Sequence, residues 1–108
     1  MTVNTSFDDG TLTLRFEGEL DHHAARGAVR DVERAIEAHL PRACVLNLDG
    51  LSFMDSSGIA VILKAHRRVS ELGATLLVTG ARAQPLKVLA AAKLERLITI
   101  EHQKELYI

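Results

Sequence analysis

Polar and apolar residues alternate at the start of the chain. In residues 11–16, Leu12, Leu14 and Phe16 alternate with Thr13 and Arg15, the period-two signature of a strand with one buried face. Residues 3–7 have the same character, and Asp8-Asp9-Gly10 between the two runs supplies the residues a tight hairpin turn needs. The period then changes. Over residues 23–40, Ala25, Ala28, Val29, Val32, Ile36 and Leu40 fall on one helical face, and Pro41 closes the helix because it disfavours helical geometry in the residue before it. Residues 43–48 are almost continuously apolar, which predicts a strand covered on both faces. A second helix is expected over residues 57–72, with Ile59, Ile62, Leu63 and Val69 inward, His66 at the same spacing, and Gly73 ending it. Residues 74–79 read as another buried strand, 84–93 as a short helix with Pro85 in its first turn, and 97–100 as a last strand. Residues 101–108 read as a helical turn or a tail. Strands alternating with helices after a hairpin imply an α/β fold with a mixed, mainly parallel sheet and helices packed against it.

Composition narrows the function classes. A length of 108 residues suits one domain, so the whole span 1–108 is read as a single unit. The formal net charge of -1 and the lack of Trp argue against a basic or base-stacking nucleic-acid surface. The single cysteine, Cys44, cannot form an internal disulfide. No basic region followed by an apolar one opens the chain, and no apolar run reaches the roughly 18 to 20 residues that span a bilayer. The expectation is a cytoplasmic protein that does not enter the membrane. No coiled-coil seam suggests anything but a monomer when free.

Enzyme chemistry finds little support. His22 and His23 are adjacent rather than four apart, and no second cysteine offers a thiolate, so a zinc site lacks ligands. His66 lies on an apolar helical face, where a packed histidine is the simpler reading, and no role is assigned to the His22-His23 pair. Neither a G-x-x-x-x-G-K-[ST] nor a G-x-G-x-x-G loop is present, and no G-x-S-x-G elbow occurs. Cys44 sits in apolar company mid-strand, which favours an inert thiol. The run Lys64-Ala65-His66-Arg67-Arg68 reads as the solvated face of a helix. No catalytic, metal or cofactor site is therefore expected.

The stretch Ser52-Phe53-Met54-Asp55-Ser56-Ser57-Gly58 lies between the third strand, expected to end at Leu48 or Leu51, and the second helix. Asp55, Ser56 and Ser57 are each good N-cap residues. A serine there is also a permissive place for phosphate, because free amides and the helix dipole favour negative charge. Local chemistry leaves cap and modification target equally supported.

A wider match resolves the choice. "GELDHH" at residues 18–23 and "VLNLDGLSFMDSSGIAVIL" at residues 45–63 resemble the STAS-domain anti-sigma factor antagonists of spore-forming bacteria, over essentially the whole chain. The resemblance implies a STAS fold and a non-enzymatic partner switch without a cofactor. The unmodified antagonist would bind an anti-sigma factor that is also a serine kinase, freeing the sigma factor. That kinase would phosphorylate Ser56 and so end the binding, and a PP2C-type serine phosphatase would restore it. On the same carry-over Asp55, Ser57 and Gly58 frame the acceptor, Asp21 lies in a neighbouring loop at the docking surface, and Ser57 is the residue left as a pure cap. Ala60 stands where close relatives usually have Gly. An alternative is a STAS scaffold or transporter-associated subunit in which D-S-S-G is mainly a helix cap.

Overall fold

The structure is a computed structural model and describes residues 1–101. The hairpin pairs β1 (Thr2–Asp8) with β2 (Thr11–Leu20), antiparallel. Its two-residue turn places both Asp9 (φ 50°) and Gly10 (φ 81°) in the left-handed region, the primed geometry that matches strand twist and favours glycine. The chain continues through α1 (His22–His39), β3 (Ala43–Met54), α2 (Ser56–Glu71), β4 (Thr75–Thr79), α3 (Ala83–Ala91), a short 3-10 turn at Leu94–Arg96 and β5 (Thr99–Glu101). This 3-10 turn is absent from the expected order of elements, and the last strand starts at Thr99 rather than at Leu97, which is 56% exposed. Apart from Glu101, which ends β5, the expected turn or tail over residues 101–108 lies outside the described residues.

Strand order in the sheet is β1-β2-β3-β4-β5, with every pair after the hairpin parallel. Each crossover therefore advances the sheet by one strand in the same direction. Right-handed crossovers that never reverse direction place their helices on one face, and the other face is left open. Registers Leu12↔Cys44↔Leu76 and Leu14↔Leu46↔Val78 align one continuous apolar layer beneath the helices. The intervening Ala43, Val45, Asn47, Leu77 and Thr79 on the opposite face are only half-buried. This corrects the expectation that residues 43–48 and 74–79 are strands covered on both faces.

The helices follow their predicted periods with local differences. In α1, Ala28, Val32, Ala35 and Ile36 are buried, whereas Leu40 is the C-cap, left-handed at φ 44° and 66% exposed. Leu40 leaves the core because Pro41 ends the helix there. In α2 the buried face is Val61, Ile62, Ala65 and Val69; Leu63 points out and His66 is half-buried. Gly73, at φ 71°, gives its N–H to Ser70 while Ala74 bonds back to the Val69 carbonyl, a glycine-terminated helix end that satisfies two orphan carbonyls. Part of the expected solvated basic run instead ties the helices together, since Arg68 on α2 reaches Glu33 and Glu37 on α1, each at 3.3 Å.

Cys44 is buried between these rows, and burial pushes its thiol from the ordinary 9.0 up to about 12. The native thiolate is therefore about a thousandfold scarcer than in the unfolded chain at neutral pH. Maleimide labelling at pH 8 is expected to be slow in buffer and fast in denaturant; equal rates would contradict the packing. Because the folded thiol keeps its proton to higher pH, its contribution to stability is complete below pH 9 and is lost as pH rises towards 12.

Candidate functional site

Parallel strands all end at one edge of the sheet, so the helices that follow them begin there side by side. β2 ends at Leu20, and Asp21 is the N-cap of α1, with extended backbone and Oδ1 accepting from Ala24 N at 3.0 Å. β3 ends at Met54, and Asp55 is the N-cap of α2, with Oδ1 accepting from Ser57 N at 2.8 Å. The second oxygen, Oδ2, accepts the backbone N–H of His22 at 3.1 Å, and the Asp55 N–H donates to the Leu20 carbonyl at 3.3 Å. One carboxylate thus serves the first turns of two helices, satisfying a first-turn amide in each.

The resulting placement differs from the sequence reading in three ways. Asp21 is in a helix cap rather than a free loop; the D-H-H-A sequence carried that signal. The strand does not stop at Leu48 or Leu51 but runs to Met54, so Asp55 is the only residue between β3 and α2. The cap of α2 is Asp55 and not Ser57, whose amide donates to it; Ser57 is the second residue of the helix. Ser56 is the first helical residue and is exposed, Ser57 is half-buried and Gly58 is buried. Asp21, Asp55, Ser56, Ser57 and Gly58 are brought together at this edge, linked through Asp55.

Gly58 is there for space. An ideal Cβ at this position would lie 2.7 Å from Met54 Sδ and 3.2 Å from Leu20 Cδ2, in a region where both side chains are fully buried. In an open helix Gly→Ala stabilises by about 1 kcal/mol, but overpacking a filled core costs about 1–3 kcal/mol. Gly58→Ala is therefore expected to destabilise by about 1 kcal/mol, lowering Tm by roughly 4–8 °C in a thermal melt. A rise in Tm would show that Met54 gives way.

A residue without a local sequence signal also holds this edge. Gln84, in the first turn of α3, accepts from Met54 N through Oε1 and donates through Nε2 to the Met54 carbonyl, both at 2.9 Å. Its side-chain amide stands in for a strand neighbour that β4, ending at Thr79, no longer provides. Nothing local in "ARAQP" points to a partner 30 positions upstream.

The His22-His23 pair begins α1 at this same edge, where the His22 N–H donates to Asp55. His22 and His23 pack edge to face with ring centroids 5.6 Å apart. Among the described residues, no group of three or more His, Cys, Asp or Glu is placed to hold a metal ion, and no helix is long and apolar enough to cross a membrane.

Comparison with known proteins matches this geometry. The family pattern described as STAS domain matches residues 2–105. An anti-sigma F factor antagonist of Paenibacillus polymyxa is 38% identical over 69 residues, covering 64% of this chain and 59% of that protein. The match thus spans less than two thirds of that relative's length. The solved structure of the anti-sigma factor antagonist SpoIIAA in its unphosphorylated form superposes with a TM-score of 0.81 at 25% identity, covering 96% of this chain and 90% of that one. The Bacillus cell fate determinant SpoIIAA in its phosphorylated form gives 0.72 at 25% identity, covering 96% and 93%. The expected fold is the observed one, and the family match runs through hairpin, crossovers and the capped edge alike: this chain belongs to the STAS domain family.

Proposed function

We propose that this chain is an anti-sigma factor antagonist working as a phosphorylation-controlled partner switch, as a single STAS domain in the cytoplasm. The unmodified form binds an anti-sigma factor that is also a serine kinase, and the sigma factor is released. That kinase phosphorylates Ser56, binding ends, and a PP2C-type phosphatase resets the cycle. The chain itself is not an enzyme; the kinase brings ATP, magnesium ion and base.

The observation that carries this reading is the position of Ser56, exposed as the first residue of α2 directly after its N-cap. Asp55 there spends its carboxylate on His22 and Ser57 and leaves the Ser56 hydroxyl to solvent and a partner. Free amides and the helix dipole tolerate an anion at such a place, so modification changes the surface without unfolding the helix. The two SpoIIAA structures, one unphosphorylated and one phosphorylated, support a relative that carries phosphate on this fold.

The test is incubation with ATP and a purified anti-sigma factor of the serine-kinase type, followed by mass spectrometry. One phosphate on Ser56 is expected, and none on Ser56→Ala. Stoichiometric phosphate on Ser56→Ala, or modification at Ser57, would remove Ser56 from the role.

A further inference from the structure

The facing stripes of α1 and α2 enclose an open groove of about 730 Å³ that begins beside Ser57. Its apolar floor comes from Ala25, Val29, Ala60 and Val61. On the α1 side, positions 22, 25, 26, 29 and 30 follow the i, i+3, i+4, i+7, i+8 spacing of one helical face; on the α2 side, 57, 60, 61 and 64 do the same. The rim holds Arg26, Arg30 and Lys64 with the imidazoles of His22 and His23, and among the described residues no carboxylate lines it. Of the acids around it, Asp55 at the mouth is engaged by the first turns of both helices, Glu33 and Glu37 are held by Arg68 at the far end, and Asp31 lies with Arg26 and Arg30 on the adjoining face of α1. So cationic a surface on a chain of formal net charge -1 is a local concentration of charge. From residue 22 to 30 the groove runs roughly 12 Å, about two turns of a docked helix.

We propose that this groove is the docking site for an acidic amphipathic helix of a partner protein. The apolar stripe of that helix lies on Ala25, Val29, Ala60 and Val61, and its flanking Glu and Asp side chains meet Arg26, Arg30 and Lys64. An apolar floor with a charged rim fits a helix-in-groove mode and does not fit nucleic acid, which needs stacking aromatics or a continuous basic track. The position of the groove couples it to the proposed switch: Ser56 is one residue from its mouth, and a phosphate of about -1.5 to -2 charges there repels an acidic occupant and competes for the same cations. Only this coupling rests on the partner-switch reading; the docking chemistry does not.

The experiment uses the full chain, isotopically labelled for NMR. The probe is a stapled helix of about 14 residues, long enough to hold two contact turns, with Leu on one face and Glu on both flanks. A control peptide carries Lys in place of every Glu. The acidic peptide is expected to shift the amides of His22, Arg26, Arg30, Ala60 and Lys64, and the basic peptide to leave them in place. An Arg26→Glu/Arg30→Glu double variant, both positions being exposed, should bind the acidic peptide at least about tenfold more weakly and show less dependence on salt. The proposal is overturned if shifts fall elsewhere, if both peptides act alike, or if neither binds. It is equally overturned if a short RNA shifts the same amides as strongly, or if those amides move with protein concentration alone, which would assign the groove to nucleic acid or to a second copy. The anti-sigma factor is titrated in parallel: if it fails to bind while the peptide maps to the groove, the partner-switch reading falls and the groove stands. If it binds the wild type and the double variant equally, the partner uses another surface and the groove is not its docking site.

Discussion

Asp55→Ala is expected to destabilise this chain by about 2–3 kcal/mol, roughly twice the cost of losing an ordinary helix cap. An ordinary N-cap is worth about 1 kcal/mol because its side chain satisfies one amide of one helix. Asp55 satisfies Ser57 N in α2 through Oδ1 and His22 N in α1 through Oδ2, so its removal leaves first-turn amides without their acceptor in two helices at once. The two losses add because they fall on different elements. For a domain of this size a loss of that magnitude is roughly 10–20 °C in Tm. Asp55→Asn separates the contributions. Its remaining carbonyl oxygen can keep the Ser57 bond while the amide group turns a second donor towards the His22 N–H, so about half the loss should appear. Asp21→Ala, which removes the cap of α1 alone, should cost about 1 kcal/mol. Thermal melts followed by circular dichroism check the series. If Asp55→Ala costs no more than Asp21→Ala, the bond to α1 carries nothing.

The dual role of Asp55 also marks where the sequence could and could not be read. Periods of two and 3.6 located the hairpin, all three helices and the parallel strands, since each buries one regular face. Alternation failed in β3, for a reason the pairing makes plain. Its 12 residues face the 10 of β2, with register shifts between Arg15 and Glu17 and between Gly18 and Glu19. Each shift adds one residue to β3 and turns the next side chains over. The buried positions therefore run Cys44, Leu46, Leu48 and then Leu51 and Met54, passing from spacings of two to spacings of three. A strand read by alternation alone stops at Leu48, which is why the segment before the serines looked like loop. The open sheet face was hidden for a different reason. Val45 and Leu77 are apolar enough to suggest cover, and only the order of strands decides that every helix lies on the other side. At the site, Asp55 and Ser56 were legible as a helix start because capping chemistry is local, whereas Gly58 entered only through the family resemblance. Gln84 was not legible, because its bonds to Met54 cross from one crossover to the next and leave no trace in neighbouring residues.

Phosphorylation of Ser56 is expected to lower affinity for the anti-sigma factor by at least about 100-fold while leaving Tm unchanged or slightly raised. The two effects have opposite signs because they draw on different surroundings of the same group. Within the free chain the phosphate stays in water at the positive end of α2, where a charge of either one or two units is tolerated and contributes up to about 1 kcal/mol. In the complex it must lose water or face the partner's own acids. Burying such a charge without a new partner costs several kcal/mol, and every 1.4 kcal/mol is a factor of ten in Kd. Ser56→Glu carries half the charge on a flatter group and should lose less affinity, about tenfold, with Tm again unchanged. Ser57→Ala tests whether the neighbouring hydroxyl shares the role: its amide, not its side chain, is what Asp55 holds, so both binding and phosphate uptake should persist. Calorimetric titration of the unmodified and phosphorylated chains, with a melt of each, reads both quantities on the same samples. Loss of affinity accompanied by a comparable loss of Tm would mean that phosphate acts by loosening α2, and charge at the interface would then not be the switch. An unchanged affinity with the phosphate in place would leave Ser56 as a helix start and nothing more.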